Sequence, residues 1–276
     1  MLTAEQLQKI LLLTLILTLI LSSSIVIANT KAEICEYQVE YTEDASKADI
    51  AFTKKIIQEM NKGKTLEYVL DELGFETSDE TIYMFEIFSE GQSEKTGKVI
   101  KIKDDKYEIS HDGILIESGD IGTLDTTVIG DFVTLELRHS RGSDPEVGEY
   151  YVLLKYDYDY NSGSNFYKDA YAVAWDTRDV YATSIVNTSN LILDSQGVGW
   201  RGYEVNNFSG SGSVWTVTRP RAGIAVGDAH GEYMSEYAHA YGAPANWSIS
   251  GSLFGFVSIG YTTQGSVNKD FASDYF

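Results

Sequence analysis

The spacing of apolar and polar positions changes twice along the chain. Residues 10–21 read "ILLLTLILTLIL" without a charge, and "SSSIVIANTKA" follows. Lys9 ahead of an apolar run, with small residues at its exit, is the pattern of a secretory signal peptide over residues 1–32, cleaved after Ala28 or Ala32. The competing expectation is an uncleaved anchor, since residues 10–28 approach the ~20 that span a bilayer. Three serines interrupt that run and favour cleavage.

A helical period comes next. In "SKADIAFTKKIIQEMNKG", Ala48, Phe52, Ile56 and Met60 recur every fourth residue with Ile57 beside them, which predicts one apolar stripe. Ser46 is placed to cap that helix, Asp49 to support the cap and Gly63 to end it. "TLEYVLDELG" predicts a second, shorter helix with Thr65 as its cap and Leu66, Val69, Leu70 and Leu73 turned inward.

From there the period is two. "TIYMFEIF", "KVIKI", "KYEI" and "GILIE" read as strands, the last two joined at Asp112-Gly113, a favoured turn pair. "DFVTLELRHS", "EYYVLLKYDYDY", "FYKDAYAVAWD", "DVYATSIV", "YEVNNF", "SVWTVT", "AGIAVG", "EYAHAY" and "WSISGSLFGFVSIGY" continue in the same way, separated by Gly, Asn, Ser and Asp. Many short strands with turn signals between them predict a mainly β protein: a C-terminal antiparallel β-sandwich or barrel preceded by a small α+β module.

Composition sharpens the division. Between residues 33 and 127 all ten basic residues are lysine and there is no tryptophan; from 128 onward arginine outnumbers lysine six to three and all four tryptophans appear. The expectation is a 33–127 module adjoining a 128–276 module. Cys35 is the single cysteine, so no internal disulfide is available and stability must come from burial. Ile34 before it lacks the small side chain that a lipid-modified cysteine requires. With 41 acidic against 21 basic residues the formal charge is −20, and removing residues 1–32, which carry Glu5, Lys9 and Lys31, would leave −21. That balance argues against a nucleic-acid binder, which needs a basic footprint, and against simple electrostatic adsorption to anionic lipid.

Candidate chemistry is sparse. "KYDYDYNSGSN" (155–165) has the start of a calcium loop, yet counting from Asp157 the glycine falls at position seven and Lys168 at twelve, where glycine at six and glutamate at twelve are needed. Alternation predicts a strand instead, with Lys155, Asp157 and Asp159 on one face and Tyr156, Tyr158 and Tyr160 on the other. A looser calcium site at its end, from Asp157, Asp159 and Asn161 with Asp169, is the secondary expectation, and no other cofactor is expected. His230, Glu236 and His239 lie close in sequence, but alternation puts Glu236 and His239 on opposite strand faces and His239 among surface tyrosines. No Gly-x-Ser-x-Gly elbow, phosphate loop or dinucleotide fingerprint occurs. Asn187, Asn207 and Asn246 each begin an Asn-x-Ser/Thr acceptor.

The run 246–261 places Trp247, Ile249, Leu253, Val257 and Ile259 on one parity and serines on the other. Read as one strand it suits a half-buried sheet position, or a membrane-inserting strand of ~9–11 residues. The functional expectation is an exported, non-enzymatic protein of the cell surface or medium that binds an envelope, carbohydrate or protein partner. The alternatives are a secreted membrane-active toxin or antimicrobial of bacteriocin type, with membrane contact through that run, and an extracellular hydrolase.

Overall fold

The computed structural model describes residues 37–78, 80–86, 97–103, 106–111, 114–120, 132–161, 169–205, 210–225, 227–241, 246–262 and 266–276. The signal segment with its cleavage sites, Cys35, the Asp112-Gly113 turn and Asn207 lie outside them.

Both helices form where the apolar stripes predict them. Helix α1 (Lys47–Met60) opens on a capping box: Ser46 Oγ accepts from the Asp49 N–H at 3.2 Å, and Asp49 Oδ2 accepts from the Ser46 N–H at 2.8 Å. Helix α2 (Leu66–Glu72) is capped by Thr65, whose Oγ1 accepts from the Tyr68 N–H at 3.2 Å. Strand β1 (Tyr37–Tyr41) precedes them. After them come β2 (Glu76–Thr77), β3 (Glu80–Glu86), β4 (Gly97–Lys103), β5 (Lys106–His111) and β6 (Ile114–Asp120). The remainder is β7 (Phe132–Ser143), β8 (Tyr150–Asn161), β9 (Asp169–Trp175), β10 (Val180–Thr188), β11 (Leu191–Gly197), β12 (Trp200–Val205), β13 (Gly210–Pro220), β14 (Glu232–Tyr241), β15 (Asn246–Gly251), β16 (Val257–Thr262) and β17 (Ser266–Tyr275).

The protein is mainly β, and its strands pair antiparallel. A ten-stranded sheet runs β1-β10-β13-β8-β7-β3-β4-β5-β6, with β2 also on β7, and a five-stranded sheet runs β11-β12-β9-β14-β17. Each order has two free ends, so neither sheet closes into a barrel. Between residues 33–127 and 128–276 the hydrogen bonding is continuous: β3 pairs with β7 from Thr81↔Leu137 to Glu86↔Phe132, and β1 pairs with β10 from Tyr37↔Thr188 to Tyr41↔Ser184. Tyr37–Phe276 forms one compact unit.

Three apolar clusters account for the layering. One joins the two sheets, with Leu135, Tyr156, Tyr158 and Tyr160 from the larger meeting Tyr171, Trp175, Tyr203 and Tyr237 from the smaller. The alternation in "KYDYDY" is therefore a strand: its tyrosines enter this core while Asp159 is exposed. A second cluster packs Phe52, Ile56, Val69 and Leu70 of the helices on Tyr151, Leu153, Val186, Trp215 and Val217 of the larger sheet. A third lies on the outer face of the smaller sheet, where Ala170, Ala172, Ala174 and Ala238 receive Ile249, Val257 and Ile259. Small alanines there let a hairpin settle close to the strand backbones.

Two expectations are corrected. "AGIAVG" is not a strand at its described positions: Ala222 and Gly223 form a turn, and Gly223 and Gly227 take φ of 94° and 86°, outside the extended region. The run 246–261 is not one strand. It folds back on itself, β15 pairing with β16 from Asn246↔Thr262 to Gly251↔Val257, because Gly255 at φ 84° reverses the chain.

Candidate functional site

Where strand ends of the two sheets meet, they leave a cleft of about 390 Å³. β1 and the residues after it contribute Glu40, Tyr41, Thr42, Glu43 and Asp44. Trp175 and Thr177 come from the end of β9, Tyr181 from β10, and Gln196 to Gly199 with Arg201 from the β11–β12 hairpin. An adjoining hollow of about 240 Å³ is lined by Asp44, Tyr181, Arg221 and Ala222.

The two arginines have different tasks. Arg201 Nη2 and Nε donate to Glu40 Oε1 and Oε2 at 2.7 and 3.0 Å, Nη1 donates to the Gly197 and Trp200 carbonyls at 2.8 Å, and the guanidinium carbon sits 5.9 Å from the Trp175 ring centroid. All its donor nitrogens are engaged, so it ties β12 to β1 and shapes the wall. Arg221 Nε donates to the Thr177 carbonyl at 2.7 Å. Its Nη1 and Nη2 meet no acceptor among the described residues, and Arg221 lines the hollow together with Asp44. Burial raises the Tyr41 and Tyr181 phenols above their ordinary range, so both stay protonated into more alkaline solution than a free phenol would. The cleft thus presents two hydroxyl-bearing rings, a guanidinium whose Nη donors have no acceptor among the described residues, and carboxylate acceptors, at strand ends or just beyond them.

A second polar constellation is buried between the sheets. His239 Nδ1 lies 2.9 Å from both Asp169 oxygens, its Nε2 lies 2.8 Å from Tyr160 Oη, and Tyr237 Oη donates to Asp169 Oδ2 at 2.7 Å. In a neutral ring whose Nδ1–H donates to Asp169, Nε2 accepts from the Tyr160 hydroxyl. The order hydroxyl, imidazole, carboxylate is that of a nucleophilic triad. All four side chains are buried, however, and the network clamps β8 to β9 and β14. The surface position expected for His239 is thereby overturned: it shares its strand face with Tyr233 and Tyr237, and that face is the core. The parity of the three aromatic positions was the available signal.

No family model matches the chain, and neither a curated protein nor a solved structure resembles it significantly. Function rests on its own geometry.

The remaining predicted residues fall as follows. Asp157 is on the outer face of the larger sheet, paired at 2.6 Å with Lys155, which also holds Glu67 at 2.5 Å. Asp169 is in the inter-sheet core, so the looser calcium set is not brought together with it. Asn161 ends β8, and its side chain lies outside the described residues. Among the described residues no group of three His, Cys, Asp or Glu side chains converges as metal donors. His230 is exposed before β14. Glu236 faces outward from β14, accepting from the Ile259 N–H and from Lys269 Nζ, both at 2.8 Å. Trp175 and Trp215 are buried, and Trp200 and Trp247 pack partly buried around the third cluster, so tryptophan fills the fold. Asn187 is also buried, its amide donating to the Thr188 and Leu191 carbonyls, which withdraws that acceptor from modification; Asn246 is exposed. Ile249, Val257 and Ile259 are buried, Trp247 is partly buried, and Leu253 is exposed.

The cleft is the feature that sequence reading missed. Its lining comes from five separated stretches, and only pairing across the sheets assembles them.

Proposed function

We propose that this is an exported protein whose two facing sheets act as a β-sandwich scaffold for binding outside the cell, with a carbohydrate-type envelope component as its ligand. The cleft carries the reading. Its volume is within the ~300–1,000 Å³ of small-ligand sites, and its lining combines aromatic rings with donors and acceptors of both charges. A hydroxyl-rich, uncharged ligand satisfies such a mixture, whereas an anion would meet Glu43 and Asp44 and a cation would meet Arg221. The buried position of the Asp169–His239–Tyr160 network favours binding over hydrolysis, since the arrangement nearest to a catalytic triad is closed to substrate. The leader pattern supports export.

The test uses protein recovered from the culture medium, whose first residue should be Asn29 or Glu33. Calorimetry against fragments of envelope polysaccharide should give saturable binding. Arg221→Ala should weaken it about tenfold or more while lowering the thermal midpoint only slightly, because the side chain is exposed and the one internal hydrogen bond lost is that to the Thr177 carbonyl. Absence of binding to every fragment, or an Arg221→Ala variant as tight as wild type, refutes the reading.

A further inference from the structure

The β15–β16 hairpin hides its strands and displays its tip. Ile249, Val257 and Ile259 are buried, while Leu253, Phe254 and Phe256 at the turn are 51 %, 56 % and 55 % exposed. Three large apolar side chains in water within four residues need a reason, because a turn is where polar residues cost least.

The tip is also held in place. The Leu253 carbonyl accepts from Thr177 N–H at 3.1 Å and from Thr177 Oγ1 at 2.9 Å, Ser252 N–H donates to the Phe256 carbonyl at 2.8 Å, and Phe254 forms a β-bridge with Asp176. Gly255 takes φ 84° with its α-carbon pressed on the neighbouring backbone: a Cβ there would stand 2.7 Å from the Glu232 carbonyl oxygen. The backbone is anchored to the end of β9 while the side chains of Leu253, Phe254 and Phe256 stay exposed. Beside it, the β11–β12 turn exposes Val198 to 64 %.

Charge identifies the occupant. The chain is 22 % charged, yet no Asp, Glu, Lys or Arg occurs from Tyr237 to Asn268. The hairpin itself therefore carries no charge with which to pair a charged partner, and the exposed cation nearest in sequence to its anchor, Arg178, is already paired with Asp176. The tip suits a phase that deforms around it. We propose that Leu253, Phe254 and Phe256 form a wedge that enters the interfacial region of an electrically neutral lipid bilayer. This is independent of what the cleft binds. Three side chains give weak, reversible attachment, of the order that one short anchor provides, and the formal charge of −20 opposes attachment to anionic lipid.

The test is co-sedimentation of the full chain with phosphatidylcholine vesicles. Binding is expected, unchanged between low and high salt, and weakened when phosphatidylserine is added. The triple variant Leu253→Ser, Phe254→Ser, Phe256→Ser should lose about tenfold or more in partitioning while keeping its thermal midpoint, since all three side chains are exposed. Wild type that fails to sediment, or a variant that sediments equally, overturns the proposal. Concentration-dependent self-association abolished by the same variant, without vesicle binding, also overturns it and makes the tip a contact between copies.

Discussion

Asp169 has its carboxylate in the inter-sheet core and two donors trained on it, Tyr237 Oη and His239 Nδ1. Replacing it by alanine would strand both donors away from water. Asp169→Ala should cost about 2–5 kcal/mol, read from urea unfolding. Tyr160→Phe, which removes one hydroxyl from the end of the same chain of bonds, should cost only about 1 kcal/mol. Equal costs would mean that water enters the network. At this scale the helix caps were legible, because Ser46 and Asp49 act within one turn of each other. The role of Asp169 was not: its partners are 68 and 70 residues away, and no local pattern carries that distance.

Among the elements, the helices bear on the question of modularity. Phe52, Ile56, Val69 and Leu70 cover Tyr151, Leu153, Trp215 and Val217, and β3 supplies hydrogen bonds to the β7 edge. Residues 128–276 alone would expose that apolar face together with an unpaired strand, which invites association. The fragment is expected to be aggregated, or expanded with non-native near-ultraviolet circular dichroism, whereas the same residues in the full chain are ordered. A monomeric, cooperatively melting fragment would show that the change in composition at 127 is a true folding boundary. Strand identity along "KYDYDY" was readable because parity alone decides it. The reversal at Gly255 was not, because the apolar parity of 246–261 survives a turn that sends both halves back to one face. Cleft and sheet order depend on pairing between distant segments, which periodicity does not encode.

For the whole molecule, the tyrosine-filled core has a pH signature. Burial holds the Tyr156, Tyr171 and Tyr237 phenols well above their ordinary value of 10.0, and raises Tyr203 and Tyr233 as well. The folded state then keeps protons that the unfolded chain releases. The stabilising contribution is whole below pH 10 and is lost as the pH climbs from there towards the raised values. Each such tyrosine tilts stability by about 1.4 kcal/mol per pH unit in that window. The urea midpoint should fall steeply above pH 10, and Tyr171→Phe should flatten the fall by one residue's share; a midpoint independent of pH to 12 contradicts this. The bonds that close the fold also fix when it can close. Tyr83 Oη donates to the Ser273 carbonyl and Thr81 Oγ1 to Asp274, contacts spanning 190 and 193 residues, and β1 must wait for β10. Such long loops are entropically expensive to close early. Until β17 has been synthesised, Tyr83 and Thr81 lack their acceptors, so the contact between β3 and β17 is among the last the fold can make.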